Sequence, residues 1–209
     1  MTVLDIIQPD NPVLRKKAVK VTSFDKQFQM LVDNMIETML DAPGVGLAGP
    51  QVEQSQRVIV VHLPEDEEEY GKEAGVLYAV ANPKIIKQSR KLVTGIEGCL
   101  SIPGYIGDVK RHEMVVVTGQ DRHGNDIRIK AKDWLARIFQ HEIDHLDGRL
   151  FIDIAERIYD SQPDDEADSP LPKNLPPWAA EVILRQKALE MERTEVIKPD
   201  KPNTLKTKK

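Results

Sequence analysis

Two histidines four residues apart, His141 and His145, enclose a carboxylate in the stretch His141-Glu-Ile-Asp-His145. On a helix, residues at i and i+4 lie one turn apart on the same face, so both imidazoles can reach one metal ion. Glu142 then stands where it can take a proton from an activated water. The same five residues also suit an ordinary amphipathic helix with two incidental histidines. A catalytic site of this type needs a third protein ligand and an open position. A metzincin-type set would place a histidine three residues after Gly148, where the chain has Phe151. A thermolysin-type set would draw a glutamate from a later helix, yet the nearby acidic cluster, Asp164-Asp-Glu166, lies in a linker-like stretch. Cys99 is the stronger candidate. It is the sole cysteine, it sits in Glu97-Gly-Cys-Leu-Ser101, and Gly98 and Gly104 suit a loop whose backbone approaches something closely. A lone cysteine without such context is more often an inert buried thiol. One thiolate and two neutral imidazoles would leave a divalent ion a charge of about +1, enough to acidify water toward a pKa of about 7.

These residues need elements to position them. The histidines fall on an expected helix from about Asp133 to Asp147, with Asp133 as a candidate cap and Gly148 just past the end. A second helix is expected from Thr22 to Asp41. Phe28, Leu31, Val32, Met35, Ile36, Met39 and Leu40 follow helical spacing there, with Thr22 or Ser23 at the start and Pro43-Gly44 at the end. Between the helices, 57–63, 75–81, 113–119 and 125–131 are short β-branched runs that suit strands. Asp121-Arg-His-Gly124 marks a hairpin between the last two, and the acidic run 64–70 reads as a solvated loop. The middle of the chain is therefore expected to be strand-rich and mostly antiparallel, between an N-terminal helix and the histidine-bearing helix, with a C-terminal extension beyond. Past Ala155 the pattern fades. The expected organisation is a catalytic domain over 1–157, an acidic proline-containing linker over 158–176, and a helix with a basic tail over 177–209.

Composition narrows the class. With 40% hydrophobic and 30% charged residues, the chain reads as a soluble globular protein. A net charge of −5 argues against a dedicated nucleic-acid binder, so no sequence-specific nucleic-acid partner is expected. No apolar run approaches the roughly 20 residues that span a bilayer, and no membrane partner is expected. The lone cysteine cannot form an intramolecular disulfide, and the first ten residues lack a secretory pattern, which points to a reducing, cytoplasmic setting.

Three segments together resemble the peptide deformylases, in that family's order: Gly44-Val-Gly-Leu-Ala-Gly-Pro-Gln51, Glu97-Gly-Cys-Leu-Ser101 and Gln140-His-Glu-Ile-Asp-His145. Pro12-Val-Leu-Arg-Lys-Lys-Ala18 also looks like the family's N-terminal segment, and the likeness covers roughly residues 5–155. The resemblance implies an α+β fold and removal of the formyl group from N-formylmethionyl nascent peptides. It implies that Cys99, His141 and His145 hold one divalent ion, commonly ferrous iron, with zinc, nickel or cobalt able to occupy similar sites. Glu142 becomes the general acid/base. The Gln51 amide and the Leu100 N–H become the oxyanion donors, and Val45 and Gly46 hold the peptide as an added strand. Trp134 and Ile138, seven and three residues before His141, are candidates for a methionine pocket or for plain core packing. Gly49 stands where the family most often has alanine, which is expected to loosen that segment.

Other classes stay in view. An aminopeptidase or amidase would share Glu142 and both histidines but gives no reason for Gln51 and Cys99. A structural metal site would need a fourth ligand, and His62, His112 and His123 are isolated in sequence. A ribosome-associated binding protein without activity would not need Glu142. The basic tail suggests ribosome contact through 177–209, against the plainer alternative of a solvated tail.

Overall fold

The computed structural model of the protein describes residues 2–42 and 44–160. Helix α1 (Lys26–Asp41) is followed by β1 (Gly46–Ala48), β2 (Val58–His62), a single helical turn α2 (Glu67–Tyr70), β3 (Leu77–Gln88), β4 (Leu92–Cys99), β5 (Ile102–His112), β6 (Met114–Gln120) and β7 (Asp126–Lys132). Helix α3 (Asp133–Leu146) and strand β8 (Arg157–Asp160) complete the described chain. Five strands form one sheet in the order β1-β2-β3-β6-β7, and three form another in the order β4-β5-β8. All neighbours in both sheets are antiparallel, and the α+β expectation holds.

Strand β2 shows why the larger sheet sits between the two long helices. Successive side chains of a strand point to opposite faces. Ile59 and Val61 join Val80, Val115, Val117 and Ala131 in a cluster with Leu135, Phe139 and Leu146 of α3. Val58 and Val60 join Leu47 and Ala81 in a second cluster with Phe28, Val32, Met35 and Met39 of α1. A strand covered on both faces must be apolar throughout, and Val-Ile-Val-Val supplies that. Helix α3 also touches β5 of the smaller sheet, so it lies against both sheets.

The ends of the helices differ in part from expectation. Asp25, not Thr22 or Ser23, caps α1: its carboxylate accepts from the backbone N–H of Gln27 at 2.9 Å and of Phe28 at 3.0 Å. Ser23 instead donates to the Asp25 carboxylate at 2.8 Å. Asp133 does not cap α3. Lys132 occupies the cap position without a side-chain bond, while the Asp133 N–H donates to the Glu113 carbonyl at 2.8 Å. The C-terminus of α3 is as expected. Gly148 takes φ +76°, its N–H donates to the His145 carbonyl at 3.1 Å, and Arg149 N–H donates to Asp144 at 2.9 Å. That pair of bonds is the Schellman arrangement, and glycine accepts its left-handed backbone without strain.

The hairpin at Asp121–Asn125 forms, with Asp121 Oδ1 accepting from the N–H of His123 and Asn125. The acidic run is not all loop, since its last four residues make α2. Order does not stop at Ala155, because β8 pairs with β5 from Tyr105↔Asp160 to Asp108↔Arg157. Strands β4 and β5 were not among the expected ones. The expected linker beyond residue 160 and the expected helix and tail over 177–209 lie outside the described residues.

Candidate metal centre

Cys99 is the last residue of β4, at a bulge where the β4–β5 register shifts between Gly98 and Cys99. His141 and His145 lie on the face of α3 turned toward it. Cys99 Sγ is 3.2 Å from His145 Nε2, which is 3.3 Å from His141 Nε2, and all three atoms lie within 4.8 Å of one another. Tetrahedral ligands bound at about 2.0–2.3 Å sit roughly 3.3–3.6 Å apart, so the spacing fits one shared ion. The donor chemistry fits as well. His141 Nδ1 is engaged by Glu97 Oε2 at 2.9 Å, which leaves Nε2 for a metal. Burial holds the His145 pKa well below its ordinary value, keeping that imidazole neutral. Burial also pulls on His141, but Cys99 and Glu97 outweigh it and hold that pKa well above the ordinary value, so His141 gives up a proton on taking a metal.

Glu142 lies beside this group, 4% exposed, and its Oε2 has no hydrogen-bond partner among the described residues. Burial pushes its pKa up to about 7; the charges of His141 and Arg111 oppose the rise and that of Glu97 adds to it. A carboxylate with a proton affinity near neutral is suited to accept and return a proton. Gly46 faces it so closely that a Cβ there would run into the carboxylate.

Gln51 is buried, and its amide is oriented from both ends. Its Oε1 accepts from the Ala48 N–H at 2.8 Å, while Nε2 donates to Ser101 Oγ at 3.3 Å and to Cys99 Sγ at 3.5 Å. Leu100 follows Cys99 in the turn to β5, its side chain over Gly44. A cavity of about 360 Å³ opens onto Cys99, His141 and Glu142, and Val45, Gly46 and Gln51 border it. Trp134 and Ile138 line it too, the tryptophan 37% exposed and the isoleucine buried. Val45, Gly46, Gln51, Cys99, Leu100, Trp134, Ile138, His141 and Glu142 thus line one space, with His145 within ligand range of Cys99 and His141. Gly49 departs from expectation. It is buried, and a Cβ there would lie 2.6 Å from the Gln56 carbonyl oxygen, so close backbone packing, not looseness, marks that position.

Sequence reasoning missed the charged groups behind the histidines. Arg111 on β5 makes a two-pronged contact with Glu97, both at 2.9 Å, and a further ion pair with Asp144 on α3. Arg137 on α3 donates to Glu97 Oε1 at 2.8 Å. Burial works to raise the Glu97 pKa, but the hydrogen bonds from Arg111 and His141, with their charges, win and bring it down to about 2. Gln140 ties α3 to β5 by exchanging two bonds with the His112 backbone, at 3.0 and 2.9 Å. The available signal was Glu97 itself, two residues before Cys99 on a strand and so on the same side.

An α+β fold that gathers a cysteine sulfur, two imidazoles and a buried glutamate beside one cavity has the make-up of a metal-dependent hydrolase. The polypeptide deformylase family model matches residues 3–160, and the chain belongs to that family. Its reaction is the hydrolytic removal of the N-formyl group from nascent peptides. A peptide deformylase of Symbiobacterium thermophilum is 52% identical over 153 residues, 73% of this chain and 67% of the relative. The solved peptide deformylase of Ehrlichia chaffeensis is 34% identical with a TM-score of 0.71, covering 94% of this chain and 100% of that one. A Met-Ala-Ser-bound class I type b peptide deformylase of Acinetobacter baumannii is 35% identical with a TM-score of 0.68, covering 73% of this chain and 98% of that one.

Proposed function

We propose that Glu142 is the general acid/base of the deformylation, that Gln51 and the Leu100 N–H receive the oxyanion, and that Cys99, His141 and His145 hold the divalent ion, as ferrous iron. The observation that carries this assignment is the unpartnered, buried Glu142 oxygen beside three converging ligand atoms. When bound, the ion supplies Lewis acidity that makes water nucleophilic near neutral pH. Glu142 accepts the proton of that water as its oxygen attacks the formyl carbon. The negative charge that develops on the formyl oxygen is met by Gln51 Nε2, already oriented by Ala48 and Ser101, and by the Leu100 N–H. Glu142 then returns the proton to the departing nitrogen as the C–N bond breaks, giving formate and a free N-terminus.

Substrate placement follows from the sheet. Among the described residues β1 is the outer strand of its sheet, paired with β2 alone, so Val45 and Gly46 offer an edge to which an extended peptide can add. The methionine side chain enters the cavity between Trp134 and Ile138. The Met-Ala-Ser complex of the Acinetobacter baumannii relative supports a short peptide as occupant. Formate release from formyl-Met-Ala-Ser by anaerobic, iron-loaded protein tests the assignment. Glu142→Ala should lower the rate by about 10²–10⁴-fold with metal content unchanged, and a rate equal to the unsubstituted protein sinks it. Ferrous iron beside a thiolate should also make the enzyme air-sensitive. Iron-loaded protein that keeps full activity in air, like the nickel form, would count against iron.

The catalytic domain is assigned to 1–157, which the family match over 3–160 largely overlaps. Contact with the ribosome is assigned to the basic segment 177–209, and the setting to the cytoplasm. Among the described residues no helix is long and apolar enough to cross a membrane. Ribosome co-sedimentation that is unchanged when 161–209 are deleted would remove the role given to the tail.

A further inference from the structure

The three ligand atoms come from two elements. The four-residue spacing on α3 places the two imidazoles relative to each other, but nothing in it decides where β4 and its cysteine lie. Among the described residues β4 is the outer strand of the smaller sheet, with β5 as its one paired neighbour. A strand so placed has a partner strand on one side, so contacts from the helix that packs over its face add to what holds it.

Arg137 holds it. It stands four residues before His141, on the same face of α3, and is 7% exposed. Its guanidinium donates to the carbonyl of Val93 at 2.8 Å and of Gly95 at 3.2 Å, both on β4. It also donates to the Val109 carbonyl on β5 and to Glu97 Oε1, each at 2.8 Å. Val93 and Gly95 are two apart on one strand, so their carbonyls point the same way, and a rigid planar fork serves both. The strand has made room for that fork. A Cβ on Gly95 would lie 2.8 Å from Arg137 Nη2 and 3.0 Å from its Cζ. Two residues more than forty positions apart therefore fit each other, and neither belongs to the ligand set. Two positions beyond Gly95 comes Glu97, whose carboxylate joins Arg137 to His141, and two beyond that comes Cys99.

We propose that Arg137, seated on Gly95, is a positioning residue that sets the distance between Cys99 and the two histidines, and through it the grip of the site on its metal. The proposal rests on Cys99, His141 and His145 being the ligands. Without the fork, the Val93 and Gly95 carbonyls turn to water, β4 draws away from α3, and the thiolate goes with it while the imidazoles stay. A lysine keeps the charge but is a point donor, and cannot serve three carbonyls and a carboxylate from one plane. Gly95→Ala keeps Arg137 whole and pushes it off its seat. The two substitutions fail in different ways toward the same result.

Cobalt(II) chloride titrated into the full-length apoprotein tests this, because thiolate ligation gives a charge-transfer band in the near ultraviolet that imidazole ligation does not. Arg137→Lys and Gly95→Ala should each bind cobalt about 10–100-fold more weakly and show a weaker thiolate band per bound cobalt. Circular dichroism melts of the same samples identify any variant that has unfolded, and Gly95→Ala, the milder change, then carries the test. Wild-type affinity and band in a folded Gly95→Ala protein overturn the proposal, whatever Arg137→Lys does. Cys99→Ser separates the two levels. If the band survives that change, or the unsubstituted protein never shows it, the ligand assignment itself has failed.

Discussion

Helices α1 and α3 both lie against strands, but they are held by different forces. α1 is fastened by Phe28, Val32, Met35 and Met39, all 3% exposed or less, against Leu47, Val58, Val60 and Ala81. On its side toward β4 and β5, α3 is fastened by Arg137, Gln140, His141 and Asp144, which reach Glu97, Arg111 and the backbone of both strands. Apolar contact is non-directional, so it decides that two elements pack but tolerates small shifts. Hydrogen-bonded charges work only in narrow ranges of distance and angle, and they are costly to leave unmet. The protein uses the directional kind where three ligand atoms must converge, and the cheaper kind where a helix need only cover a sheet.

The largest expected effect comes from breaking the charged side. Glu97→Ala leaves Arg111 and Arg137 buried without their shared partner and should cost about 3–5 kcal/mol in a denaturant titration at pH 7, with metal binding weakened as well. A loss under about 1 kcal/mol would mean that the charges do not hold α3. Met35→Ala empties a fully buried site on the other helix and should cost about 2–5 kcal/mol. Its kcat/KM, measured well below its Tm, should stay within about twofold of the unsubstituted value, since α1 contributes no group to the chemistry. A tenfold fall would erase the distinction between the two helices. Met35→Leu conserves volume and should cost under about 1.5 kcal/mol. If it costs as much as the alanine change, the apolar side is less tolerant than argued.

The smallest effect belongs to the charged cap at the start of α1. The Phe28 N–H, then Ser23 and the Gln27 N–H, hold the Asp25 carboxyl below its ordinary 3.8 against a slight opposing pull of burial. A carboxyl lowered on folding stabilises the folded state fully above its unfolded pKa and stops doing so as pH falls through the folded value. Asp25→Ala should therefore lower Tm at pH 7 and lower it less near pH 3. An equal drop at both would show that the cap acts through something other than its charge.

What could be read from the sequence was what is local. His141, Glu142 and His145 lie within five residues, and helical periodicity alone put the two histidines on one face. Cys99, Gln51, Leu100, Val45 and Gly46 came with short motifs, and all border the same cavity or its turn. Strands β2, β3, β6 and β7 showed because they are β-branched. β4 did not, since Gly95 and Gly98 interrupt it and its apolar residues Leu92, Val93 and Ile96 are exposed, so neither run nor alternation appears. β8 is four residues long, below what a pattern can show. The Glu97–Arg111–Arg137 group was invisible for a different reason. Its members come from two strands and a helix, and only the folded chain gives them a common address. Gly49 misled because its role is to admit the Gln54 and Gln56 carbonyls, which no local feature announces.

The close approach of Gly46 to Glu142 has a pharmacological consequence. A compound that gains its affinity by hydrogen-bonding along the backbone there, beside the metal, addresses a position at which no other amino acid fits without displacing the carboxylate. With Glu142 in its proposed role, a substitution at that contact would disturb the carboxylate that the reaction needs, which would limit resistance there.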